Sequence, residues 1–121
     1  MVYVAQSQSL AILEMLVHLD SPDLLKIYVL FGVEIDTALI APLDRSSLPK
    51  NWKADPVPVS TQKVGDRWAA SLTSLGLSVP SALVPDESNF LLNPLHPDFP
   101  RLKIHKPLAF QFDPRLATRH R

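Results

Sequence analysis

Ten residues constrain this chain more than any others: Leu10-Ala11-Ile12-Leu13-Glu14-Met15-Leu16-Val17-His18-Leu19. Eight of the ten are apolar, and the two exceptions, Glu14 and His18, stand four apart. In a helix such a pair lies one turn above the other. With Leu10 as origin and about 100° per residue, Leu13 falls at roughly −60°, Val17 at roughly −20° and Glu14 at roughly +40°. Glu14 therefore points into or beside the apolar stripe. A carboxylate there is unfavourable unless something pairs with it. The spacing predicts a helix from Leu10 to about Asp20, capped by Ser7 or Ser9 and stopped by Ser21-Pro22.

Length and composition bound what surrounds this helix. The chain's 121 residues suffice for one domain with one core, and we read 1–121 as a single domain. With 46% apolar and 20% charged residues the chain reads as soluble and globular. Twelve Lys+Arg balance twelve Asp+Glu, so overall charge gives no reason for a nucleic-acid or membrane surface. The one local bias is the end, where three arginines and His120 lie between 115 and 121; residues 113–121 read as a solvated basic tail. Cysteine is absent, which excludes disulfides and a thiol nucleophile and is compatible with a cytoplasmic protein. The longest apolar run is too short to span a bilayer, and the start lacks the basic region of a signal peptide. Twelve prolines, about twice the usual share, fall between the apolar runs and predict short elements joined by stiff turns.

Along the chain, Val2 to Ala5 reads as a strand with no lead-in, whose edge needs a partner. Leu25 to Glu34 is a second strand candidate, with Gly32 marking a bulge. Residues 36–43 fit either a helical turn or irregular backbone. Residues 44–59 read as a linker that Trp52 pins to the core. Ser60 or Thr61 is expected to cap a helix through Leu75, with Gly76 just beyond its end and Val64, Trp68, Leu72 and Leu75 as its buried face. Leu77 to Val84 reads as a strand that Pro80 confines to an edge or bulge. Asn89 to Asn93 is a further strand, 93–97 a turn-rich loop, and 103–112 one or two strands ended by Asp113-Pro114. This order fits an α+β (mixed α/β) domain. The three glycines are too scattered for a phosphate-binding loop.

Several groups are candidates for chemistry. Glu14 and His18 suit a general acid/base pair or two metal ligands, and equally a structural ion pair. A zinc site needs a third ligand, for which His96 and His105 lack motif spacing, so no metal is expected. Ser81, the lone polar side chain in an apolar run, either faces a ligand cleft or satisfies its hydroxyl on the local backbone. No G-x-S-x-G elbow surrounds it, which argues against a hydrolase triad. Asn89, Asn93 and His96 suit a pocket rim or plain turn chemistry. Tyr3 fits core or rim, and Trp52 and Trp68 fit packing, since no basic patch accompanies them.

Read in order, the blocks Val2-Tyr3-Val4-Ala5, Ser9-Leu10-Ala11-x-x-Glu14-x-Leu16-Val17-His18-Leu19, Leu48-Pro49-x-x-Trp52, Gly65-Asp66-x-Trp68, Val79-Pro80-Ser81-Ala82-x-Val84-Pro85, Asn89-x-Leu91-Leu92-Asn93-Pro94-x-His96-Pro97-Asp98-Phe99 and Phe110-x-Phe112-Asp113-Pro114-Arg115-Leu116 carry a resemblance. The chain resembles the RES domain, the toxin half of bacterial RES–Xre toxin–antitoxin pairs, over essentially its whole length. The resemblance implies an ADP-ribosyltransferase-like fold. It implies NAD+ as a substrate, with no prosthetic group, cleaved at its N-glycosidic bond by hydrolysis, phosphorolysis or ADP-ribosyl transfer. By position Glu14 and Ser81 match the family's Glu and Ser as catalytic residues, and Tyr3 a pocket tyrosine; Asn89 and Asn93 would help form the NAD+ pocket. The implied partner is a cognate DNA-binding, Xre-like antitoxin that blocks the cleft, with homo-oligomerisation inside that complex.

One departure accompanies the resemblance. The family's Arg lies in a Gly-Gly-Arg-Trp-Asn-like segment upstream of the strand that Val2 to Ala5 matches, and no such segment is present here. The expectation is an N-terminally incomplete RES domain. The alternative function is then an inactive antitoxin-binding module or a non-functional remnant.

Overall fold

A computed structural model describes residues 1–118. The central sheet has four strands, β1 (Val2–Ala5), β4 (Ile40–Pro42), β5 (Gly76–Pro80) and β6 (Ser88–Leu92), in the order β1-β6-β5-β4. β6 runs antiparallel to both β1 and β5, and β4 runs parallel to β5. Two antiparallel ribbons stand beside it: β2 (Ile27–Leu30) with β8 (Leu108–Gln111), and β3 (Val33–Glu34) with β7 (Lys103–Ile104). Three helices complete the fold, α1 (Gln8–Leu16), α2 (Val59–Ser71) and α3 (Pro114–Thr118). The architecture is mixed α/β, in line with the sequence. The buried apolar residues are Leu10, Leu24, Leu75, Leu77, Leu91, Leu92 and Phe112. Phe112 takes Tyr28 and Phe110 edge-to-face, with ring centroids 5.8 and 5.0 Å away.

The first strand and the cap of α1 are as expected. Ser7 is extended and its Oγ accepts the Leu10 N–H at 3.1 Å. The helix is shorter than its apolar pattern suggests. It ends at Leu16, and the His18 and Leu19 N–H groups close a tighter turn onto Met15 and Leu16 carbonyls. The reason lies just downstream. Asp20 and Asp23 nucleate a separate 3₁₀ turn, Ser21–Leu25, in which the Asp20 N–H donates to Asp23 Oδ2 at 3.1 Å.

Other boundaries also differ from the sequence reading. The 25–34 strand is broken at Phe31-Gly32 into β2 and β3, which pair with different partners, so Gly32 marks a junction and not a bulge. Residues 36–43 hold both a 3₁₀ turn, Thr37–Leu39, and strand β4. α2 begins without a Ser or Thr cap: the Pro58 carbonyl takes the Thr61 and Gln62 N–H groups at 3.0 and 3.1 Å. It ends early, with Leu72 in the left-handed region at φ 55°. Leu72 is consequently exposed, and fully buried Leu75 belongs to the link into β5.

Gly76 is therefore no helix cap. It opens β5, where a Cβ would meet Ile40 Cγ1 at 3.3 Å and Leu92 Cδ2 at 3.4 Å, so it permits close strand packing. Pro80 is the last residue of β5, a strand paired on both sides, and its missing donor is tolerated because the ladder ends there. The start of the expected basic tail is the short helix α3, and Arg115 clamps Asp113 through two side-chain hydrogen bonds at 3.0 and 2.8 Å. The rest of that tail, 119–121, lies outside the described residues.

Candidate active-site cleft

A cleft of about 1650 Å³ opens between the central sheet, α1, the start of α2, the 43–57 loop and the two ribbons. Its lining is more apolar than polar, with Tyr3, Glu14, His18, Trp52, Asp66 and Asn89 among the polar-tipped side chains. That combination of an apolar wall and few convergent polar groups is the usual make-up of a small-molecule site.

Local structure explains how Glu14 reaches this wall. The β1–β6 ladder is extended by the Gln6 N–H donating to Ser88 O at 3.1 Å, and Gln6 Oε1 takes the Ser88 N–H at 2.8 Å. The chain then turns at Ser7 into α1, which returns across the sheet. Register puts Ala5, Asn89 and Val79 in one row on one face of the sheet. Glu14, about two turns into α1, comes down beside that row. Its Oε1 accepts the Asn89 amide Nδ2–H at 2.9 Å.

The second donor comes from the β5–β6 connection. Ser81 follows Pro80, and its N–H donates to Glu87 O at 2.9 Å, closing the 81–87 loop. Its hydroxyl accepts the Leu83 and Val84 N–H groups at 3.2 and 3.1 Å and donates to Glu14 Oε1 at 2.7 Å. A serine hydroxyl has two acceptor sites and one donor. All three are occupied, and Ser81 is 0% exposed. Ser81 therefore has no capacity left for a ligand and does not line the cleft, so the geometry fits the backbone-satisfying reading and not the ligand-facing one; its proton goes instead to the cleft carboxylate. Glu14 presents its other oxygen, Oε2, with no hydrogen bond from any described residue.

The remaining sequence candidates divide. Tyr3, 69% exposed, stands on the cleft wall opposite Leu91 in the ladder. Asn93, 3% exposed, is not a lining residue: its Nδ2–H donates to Ala69 O of α2 and its Oδ1 takes the Leu95 N–H. It ties the end of β6 to α2, so its amide is spent on structure and the pocket role expected for it has no geometric support. His18 lines the cleft just past the end of α1, and no ion pair joins it to Glu14 among the described residues. His96 Nδ1 accepts the Asp98 N–H at 3.0 Å, and His105 Nε2 lies 3.2 Å from Glu34 Oε1. Among the described residues no three His, Asp or Glu side chains converge as metal ligands.

Two cleft residues escaped the sequence reading. Gln6 locks β1 to the start of β6 and reaches Glu87 Oε1 at 3.5 Å, which no local pattern signals. Thr61, expected to cap α2, instead lines the cleft, with its Oγ1 buried and without a hydrogen-bond partner among the described residues. Trp52 was readable as a loop anchor; it is half-buried on the cleft side, with Lys53 Nζ 5.9 Å from its ring centre.

Comparison with known proteins adds to this geometry. A family model described as RES domain matches residues 1–113. The protein named toxin Res from Yersinia enterocolitica serotype O:8 / biotype 1B is 47% identical over 116 residues, covering 95% of this chain and 76% of that protein. Toxin Res from Photorhabdus laumondii subsp. laumondii is 44% identical over 118 residues, 96% of this chain and 75% of that protein. A protein of Sphingobium sp. named Prs ADP-ribosylating toxin is 37% identical over 121 residues, 98% of this chain and 75% of that protein. No helix among the described residues is long and apolar enough to cross a membrane.

Proposed function

The chain belongs to the RES domain family, and from that premise we propose that it is a toxin that binds NAD+ in the cleft and breaks the nicotinamide N-glycosidic bond beside Glu14. The observation that carries this reading is the Glu14 carboxylate on an apolar cleft wall, with Oε1 held by Ser81 and Asn89 and Oε2 unengaged by described residues. The cleft is roomy enough to admit a dinucleotide. The name of the Sphingobium relative, an ADP-ribosylating toxin, supports NAD+ as the substrate.

The chemistry follows from charge. As the bond between ribose C1′ and the nicotinamide nitrogen breaks, its electron pair leaves with neutral nicotinamide, and positive charge develops on the ribose as an oxocarbenium-like ion. A carboxylate fixed in a low-dielectric wall before reaction stabilises that charge without reorganising. Glu14 Oε2 supplies this, and it also orients the incoming oxygen nucleophile and accepts its proton. Ser81 acts through Glu14 as a positioning residue. Tyr3 offers a ring face at the cleft wall for the nicotinamide or its ribose. The acceptor is water, phosphate or a protein side chain, and the product identifies it.

In this reading the chain forms one ADP-ribosyltransferase-like domain acting in the cytoplasm, neutralised by a cognate Xre-like antitoxin. The test is NAD+ consumption with release of nicotinamide by the purified chain, alongside Glu14→Gln. Loss of NAD+ that depends on Glu14 supports the proposal; intact NAD+ in the presence of folded protein overturns it.

A further inference from the structure

Asn89 lines the cleft, and one of its two amide N–H groups donates to Glu14 Oε1 at 2.9 Å. Ser81 Oγ donates to the same oxygen at 2.7 Å. The two donors come from different elements, one from mid-sheet strand β6 and the other from the loop that closes β5 to β6. The terminal torsion of a glutamate is broad and roughly two-fold, so a single donor leaves the carboxylate plane free to swing. Two donors converging on one oxygen from separate directions fix it.

We infer that Asn89 is a positioning residue: with Ser81 it fills Oε1, sets the plane of the Glu14 carboxylate and leaves Oε2 as the one oxygen that works on substrate. This rests on Glu14 being the catalytic carboxylate. Asn89 sits in the row Ala5–Asn89–Val79, whose neighbours are small or β-branched and offer no competing polar partner. Its place in a strand paired on both sides makes it a rigid anchor, more so than a loop residue. Ser81 is locked by its two backbone donors, so the pair has no slack from either side.

The experiment is steady-state NAD+ consumption by the full chain and by Asn89→Ala, Asn89→Asp and Glu14→Gln, each checked for folding by circular dichroism. Loss of one hydrogen bond to a charged group predicts that Asn89→Ala lowers kcat about 10-fold with KM within about twofold of the parent. Asn89→Asp keeps the side chain's shape, removes the donor and sets a like charge beside Glu14, so kcat falls at least as far. A packing role alone would leave Asn89→Asp near the parent rate, which overturns the inference. So does a raised KM at unchanged kcat, the signature of a residue that touches NAD+. The two failures separate cleanly. Full activity in Glu14→Gln defeats the catalytic reading itself, whereas an inactive Glu14→Gln beside a fully active Asn89→Ala defeats only the role given to Asn89.

Discussion

Ser81 and Glu14, 67 residues apart in sequence, are joined by a 2.7 Å hydrogen bond in which the serine hydroxyl donates to a carboxylate on the cleft wall. The bond has one direction only. Both acceptor sites of the hydroxyl are taken by the Leu83 and Val84 N–H groups, so its proton has nowhere else to go. The serine thus couples the shape of the 81–87 loop to the orientation of the carboxylate. Folding and chemistry are joined at that atom.

Ser81→Ala is expected to damage both. It removes the acceptor of two part-buried N–H groups and a donor from Glu14, so stability falls by about 1–2 kcal/mol. Urea unfolding measures this, and NAD+ turnover measured under native conditions should fall in the same variant. A serine that merely contacted substrate would, on mutation, lower turnover and leave the unfolding midpoint unchanged.

Leu72 ends α2 at φ 55°, a conformation that a glycine adopts without penalty and a leucine does not. Nearly half exposed, it contributes little to the core. Leu72→Gly is expected to stabilise the protein by about 1 kcal/mol, seen as a raised Tm. A lowered Tm would show that the leucine side chain packs more than its exposure suggests.

The Asp113–Arg115 clamp sets a dependence on acid. The Arg115 guanidinium hydrogen bond, followed by its backbone N–H, holds the Asp113 carboxyl at about 2, below its ordinary 3.8. A depressed carboxylate contributes stability that is complete above the ordinary value and is lost as pH falls towards about 2. NMR titration of the carboxyl carbon should therefore give a midpoint near 2 for the parent. In Arg115→Ala the midpoint returns towards 3.8. An unchanged midpoint in that variant would remove the clamp as the cause.

How much of this was legible in the sequence depended on range. Ser7 and Asp113-Pro114 act through neighbours in the chain, and the sequence marked them as a cap and a stop, whereas Gly32, read as a bulge, is a junction whose carbonyl takes the distant His105 N–H. The 10–19 helix was legible as a helix and illegible in length. Apolar residues continue past Leu16, and only the competing 3₁₀ turn at Ser21–Leu25 ends it. α2 was mis-bounded for a similar reason: Leu75 fits the helical period but is drawn into the buried link to β5.

At the site, Glu14 was visible because a carboxylate on an apolar face demands a partner. The nearest partner in sequence was His18, and the actual partners were Ser81 and Asn89. No periodicity reveals those, because they meet Glu14 only after β6 has paired with β1 and β5. Asn93 shows the converse. It shares a motif block with Asn89, but four residues further along, just beyond the end of β6, its amide meets α2 and the following turn.

The sharpest test of catalysis at Glu14 is the rate at which the purified chain releases nicotinamide from NAD+, compared with that of Glu14→Gln. The substitution keeps the side chain's size and removes its charge. Loss of a preorganised electrostatic group predicts a fall of about 10²- to 10³-fold in kcat, with the variant's circular dichroism and melting unchanged in form. A folded Glu14→Gln that releases nicotinamide at the parent rate would contradict catalysis by this carboxylate.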